Sequence, residues 1–132
     1  MTAAGGDFFQ KQDFLPEEIE KRFDGARRDL EIAEKDAFPE VRFTYAFQAL
    51  VKLGIALLAR EGLKVRSIPG HHVKILERLS SILKDPDILT FGNSMRMKRN
   101  RDLYGGSEQV TEKEAADYLG FVQKVFKSSE PR

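Results

Sequence analysis

The segment Arg96-Met-Lys-Arg-Asn-Arg-Asp-Leu-Tyr-Gly105 gathers the cations Arg96, Lys98, Arg99 and Arg101 and closes on Tyr104. If it is helical, successive side chains turn by about 100°. Arg96, Arg99, Asn100, Leu103 and Tyr104 then share one broad face, while Lys98 and Arg101 point elsewhere. A planar guanidinium matches the oxygens of a phosphate, and a phenol offers a stacking surface to a base. Arg96, Arg99 and Asn100 are therefore candidate phosphate-binding groups, with Arg101 as a further cation and Tyr104 as a stacking surface. The competing reading is a solvated charge run at a helix C-terminus, where cations are favourable on dipole grounds alone. Solvation alone does not call for Arg96, Asn100 and Tyr104 at a spacing of four beside an apolar Leu103.

His71 and His72 are the only histidines, and they follow Pro69-Gly70 at the expected start of a helix. There they could bind phosphate through the helix N-terminus or move a proton. Neighbouring side chains on a helix diverge by about 100°, which makes the pair poor joint metal ligands. A structural or surface role for them weighs more than a catalytic one. No acidic and histidine residues share metal-site spacing, and neither Gly-x-Ser-x-Gly nor a phosphate loop is present. Neither metal nor cofactor is expected. The chain has no cysteine, which excludes disulfides, thiolate metal sites and cysteine nucleophiles.

Five helices are expected to carry these residues. The first spans about 16–37: Pro16 suits a first helical position, and Glu17 and Glu18 sit at the positive dipole end. Ile19, Phe23, Ala26, Leu30, Ala33 and Ala37 form its apolar stripe, and its closing alanines predict a close neighbour. The second, about 39–62, is apolar nearly all round, with only Thr44, Gln48 and Lys52 as a polar strip. It must lie centrally or partly in an oligomer interface. Gly54 predicts close packing and Gly62 a stop. A third helix over about 71–83 turns Val73, Leu76, Leu79 and Leu83 inward. Asp85-Pro86 opens a fourth over about 86–104, which Gly92-Asn93 could bend and Gly105-Gly106 ends. Thr111-Glu-Lys-Glu114 is a capping box for a fifth, with Ala115, Tyr118, Leu119, Val122, Val125 and Phe126 inward. No segment shows a strand period. The expected fold is all-α, an antiparallel up-and-down bundle of four long helices plus one shorter helix.

Residues 1–12 read as a disordered leader in which Phe8 and Phe9 could dock on the bundle, as could Phe14 just beyond it. Residues 13–130 read as one domain. The chain has 132 residues, enough to bury one core without staples. With 22 basic and 21 acidic residues, the net charge of +1 selects no partner class. The N-terminus lacks the basic start and apolar core of a signal peptide. Lys52, near the middle of the longest apolar stretch, argues against a membrane span. A cytoplasmic protein is expected.

The order of these features resembles the HEPN (higher eukaryotes and prokaryotes nucleotide-binding) family over about residues 16–128. The resemblance rests on Arg28-Asp-Leu-Glu-Ile-Ala33, Phe43-Thr-Tyr-Ala-Phe-Gln-Ala49, Pro69-Gly-His-His72 and Arg99-Asn-Arg-Asp-Leu-Tyr104-Gly. It implies a homodimer with two copies of an arginine–polar–histidine motif in one cleft. It also implies RNA or a nucleotide as ligand, and for some members metal-independent ribonuclease activity or pairing with a minimal nucleotidyltransferase as toxin and antitoxin. Arg99 and Asn100 match the first half of the motif, and Tyr104 stands where the family has histidine. A phenol with a pKa of about 10 is a poor base at neutral pH, so a variant branch fits better than the ribonucleases. Tyr104 would then stack on a base or accept a nucleotidyl group. Two further readings stay open: a non-catalytic homodimeric interaction module, in which the arginines pair with acids such as Asp102 or Glu114, and a ribonuclease in which His71 or His72 replaces the missing histidine.

Overall fold

The computed structural model describes residues 8–103 and 110–130. Five helices and two short strands follow in the order β1 (Phe9–Lys11), α1 (Pro16–Lys35), α2 (Pro39–Arg60), β2 (Leu63–Val65), α3 (His71–Leu83), α4 (Pro86–Leu103) and α5 (Glu112–Ser129). The fold is all-α.

Helix starts follow local chemistry. Pro16 and Pro39 occupy first-turn positions of α1 and α2, where a missing N–H costs nothing. The backbone N–H of Leu15 donates to Glu18 Oε1 at 2.8 Å, the half of a capping box that an apolar N-cap allows. At α4, the N–H of Asp87 donates to Asp85 Oδ1. At α5 the box is complete: Glu114 N–H donates to Thr111 Oγ1, and Thr111 N–H to Glu114 Oε1, both at 3.0 Å.

α2 is the hub, in contact with α1, α3, α4 and α5. Phe43, Phe47, Leu50, Leu53, Leu57 and Leu58 are almost wholly buried, whereas Thr44 and Gln48 are half-buried and Lys52 is exposed. By length and composition α2 could cross a membrane; here most of it is buried against the other helices. The alanines of α1 let it lie close, Ala26 and Ala33 being fully buried. Ala37 is exposed beyond the end of α1, so the close approach stops at Ala33. A Cβ on Gly54 would stand 2.5 Å from Ile75 Cγ2, so the bare backbone admits α3.

Three expectations are corrected. The last part of the expected leader is structured, since Phe9, Gln10 and Lys11 pair antiparallel with Val65, Lys64 and Leu63, while residues 1–7 lie outside the described residues. A three-residue strand is too short to show an alternating period. The aromatic side chains here do dock, with Lys74 over Phe8, Arg78 over Phe9 and Arg22 over Phe14. Second, α4 runs unbroken through Gly92-Asn93. Gly92 serves packing, since a Cβ there would meet Leu76 Cδ2 at 2.7 Å and Leu50 Cδ2 at 3.4 Å. Third, α3 also buries Ile75, beneath Gly54, while Val73 and Leu83 are only half-buried.

Ion pairs tie helices together. Lys52 Nζ lies 2.9 Å from the buried Asp29 Oδ2, a charge contact without hydrogen-bond alignment. Arg42 reaches Glu112 at 3.5 Å, joining the starts of α2 and α5. Contacts Phe91–Phe121, Ser94–Tyr118 and Lys98–Glu114 run in opposite directions along α4 and α5. Those of Phe47 with His72 and of Gly54 with Ile75 and Leu79 advance together along α2 and α3.

Candidate functional site

The second half of α4 comes to lie over the start of α3, with Phe47 of α2 beneath both. Arg99 places its guanidinium carbon 5.9 Å from the centroid of the Phe47 ring. His72 meets the same ring edge-on at 5.8 Å, with planes 75° apart. The quadrupole of Phe47 has a negative face that suits a cation and a positive edge. One buried side chain thus supports both a guanidinium and an imidazole. Arg96 is half-buried on the same helix, and its Nε donates to Asn93 Oδ1 at 2.9 Å. Asn100 is half-buried one residue beyond Arg99.

The electrostatics are those of a cationic site around a neutral imidazole. His72 is pushed from the usual 6.5 down to about 4. Its burial is the largest cause, and the neighbouring His71, Arg99 and Arg96 add to it. At neutral pH the ring is therefore uncharged, and by itself it is a weak base. An anion held between Arg96 and Arg99 would cancel part of their field and raise the basicity of His72.

His71 is differently employed. Its Nδ1 lies 2.8 Å from Ile68 O, an acceptor, so this nitrogen carries the hydrogen and donates. The divergence expected for adjacent histidines does not hold for the rings, whose centroids are 4.2 Å apart. Gly70, with φ of 87°, supplies the left-handed turn that starts α3 here.

Of the candidate residues, His71, His72, Arg96, Arg99 and Asn100 lie on the two packed helices α3 and α4, and Phe47 links His72 to Arg99. The side chain of Arg101 and all of Tyr104 lie outside the described residues, as does Asp102 as a proposed partner for the arginines. Lys98 does point elsewhere: it is 6% exposed and pairs with Glu114 on α5 at 3.3 Å. Among the described residues, Glu114 therefore pairs with the lysine of this run and with neither Arg96 nor Arg99. Its carboxyl is held below the ordinary glutamate value, first by the Thr111 N–H and also by Lys98. Phe47 was not singled out from the sequence. On a helix that is apolar nearly all round, nothing local distinguishes it from Phe43.

Comparison of the chain with known protein families, characterised proteins and solved structures finds no match.

Proposed function

We propose that this protein is a HEPN-like helical domain that binds RNA or a nucleotide. Arg96, Arg99 and Asn100 hold phosphate, and His72 completes the site. The observation that carries this reading is the shared Phe47 platform, which sets the Arg99 guanidinium and the His72 imidazole on one ring. A buried, packed ring fixes two functional groups more firmly than a solvated charge run requires. The finer architecture belongs to the same proposal. α1, α2, α4 and α5 form a four-helix antiparallel bundle to which the shorter α3 is added, in keeping with the opposed contacts of α4 and α5. So do the homodimer, the cytoplasmic setting, and a nucleotidyltransferase partner for which Tyr104 is the acceptor.

The pairing of His72 with Arg99 favours one further reading over the non-catalytic module, namely metal-independent RNA cleavage. Neutral His72 would take the proton of a ribose 2′-hydroxyl while Arg99 holds the phosphate it attacks. The 5′-oxygen would leave with a proton from water, giving a 2′,3′-cyclic phosphate.

The test is anisotropy of a fluorescent single-stranded RNA in chelator, run across salt concentrations, with the same samples resolved on a gel. Arg99→Ala is expected to weaken binding and lower the salt slope by about one. Unchanged binding would refute the site. Cleavage lost in His72→Ala would make the protein an enzyme, whereas binding without cleavage would leave it a binding domain.

A further inference from the structure

A second site lies away from the His72–Arg99 cluster and shares no residue with it. α1 and α5 both pack on α2 but touch each other only sparsely, and between them runs a groove of about 880 Å³. Its apolar surface comes from Ile19, Phe23 and Leu30 of α1, Leu53 of α2 and Phe126 of α5. The half-buried state of Phe23, Leu30 and Phe126 shows that the core leaves this surface incompletely covered.

The rim charges are unequally engaged. Glu20 pairs with Arg27 at 2.7 Å, and Glu34 accepts from Gln123 at 2.8 Å. Arg60 lies over the Phe23 ring at 5.4 Å. Among the described residues, no carboxylate sits within ion-pair distance of Arg60, Lys124 or Lys127, and Glu130 is the one acid of the rim without a partner. The amide of Gln123 leaves the charge of Glu34 uncancelled, so the cations outside ion pairs, Arg60, Lys124 and Lys127, outnumber the carboxylates outside them, Glu34 and Glu130, by one.

Gly120 adds an independent observation. It lies within α5 on the groove wall, and a Cβ there would meet nothing within 4 Å. Glycine inside a helix costs about 0.5–1 kcal/mol relative to alanine, and among the described residues no contact explains it. A bare backbone facing an empty groove permits close approach by another helix.

We propose that the groove receives an amphipathic helix of a partner protein, with its apolar stripe on Phe23, Leu30 and Phe126 and an acidic flank on Arg60, Lys124 and Lys127. The groove lies open to solvent along one side. That suits a helix with one apolar face, whereas small-molecule sites enclose most of their ligand. A second copy of this chain is a poor source. Among the described residues, its exposed large apolar side chains, Leu15, Phe38, Phe91 and Met97, form no helical stripe.

The test uses two designed 18-residue helical peptides with the same leucine stripe, one flanked by glutamates and one by lysines. Binding to the whole protein is followed by anisotropy. The glutamate peptide is expected to saturate and to bind at least tenfold more tightly than the lysine peptide. Gly120→Leu should abolish binding without lowering the melting temperature, and Lys124→Glu/Lys127→Glu should reverse the peptide preference. Equal binding of both peptides, no saturation at 1 mM, or indifference to Gly120→Leu would overturn the proposal. So would dodecanoate binding in place of the peptide, or a protein dimer that Gly120→Leu dissolves. RNA binding measured on the same variants should be unchanged, which separates this site from the phosphate site.

Discussion

Lys98 and Arg99 are consecutive on α4 and belong to the same basic run, yet they face different regions of the molecule. Lys98 is buried against α5, where Glu114 neutralises it and the Thr111 capping box holds Glu114 in place. Arg99 lies on the aromatic ring of a core residue, beside a histidine from a third helix. The same residue class at adjacent positions therefore welds two helices in one direction and sets a guanidinium on a core ring beside an imidazole in the other. Charge density along the sequence does not distinguish these roles; only the partner across the interface does.

The comparison can be broken outright by removing what supports the Arg99 side. Phe47→Ala should cost about 3–5 kcal/mol through the cavity left in the core. It should also take the shared platform from under His72 and Arg99, so RNA binding should fall even at temperatures where the variant is folded. Urea denaturation beside RNA anisotropy checks both effects. If binding survived at wild-type strength in the folded variant, the ring would be core and nothing more.

The Lys98 side is next in size. Lys98→Glu would bury a carboxylate beside Glu114, and a loss of about 3 kcal/mol is expected, with partial recovery in Lys98→Glu/Glu114→Lys. Arg99→Ala should by contrast change stability by no more than about 1 kcal/mol, the scale of an exposed cation–π contact. Chemical denaturation of the three variants sharpens the contrast. Similar losses at both positions would erase it.

The smallest effect concerns protons. The pKa of His72 in the folded protein is depressed to about 4 from 6.5, so between those values the unfolded chain binds more protons than the native one. The stability that the neutral ring contributes is fully present above 6.5 and is lost as pH falls toward 4. His72→Gln should flatten the stability profile in that window. Phosphate or RNA bound at the arginines should raise the His72 pKa, so affinity should increase as pH falls. An NMR titration of the His72 ring with and without phosphate reads the shift directly. A ring titrating near 6.5 in the free protein would remove His72 from the cationic site.

Much of the helical framework is legible in the sequence because its signals are local. Pro16, Asp85-Pro86 and Thr111-Glu-Lys-Glu114 start helices through their own backbone geometry and hydrogen bonds, which need no tertiary partner. The narrow polar strip of Thr44, Gln48 and Lys52 marks α2 as central for the same reason: one turn of helix after another leaves only that strip to water. The direction of Lys98 away from Arg96 and Arg99 also follows from helical rotation alone. By contrast, β1 and β2 exist only because residues 9–11 meet residues 63–65 across the chain. Gly92 reads as a breaker until Leu76 and Leu50 supply the close neighbours that explain it. The meeting of His72, Arg99 and Phe47, and the gap between α1 and α5, were decided by how the helices pack. Capping and amphipathic period act over a few residues along the chain, whereas a binding site is a distance between side chains on different elements, and only the packed core fixes that distance.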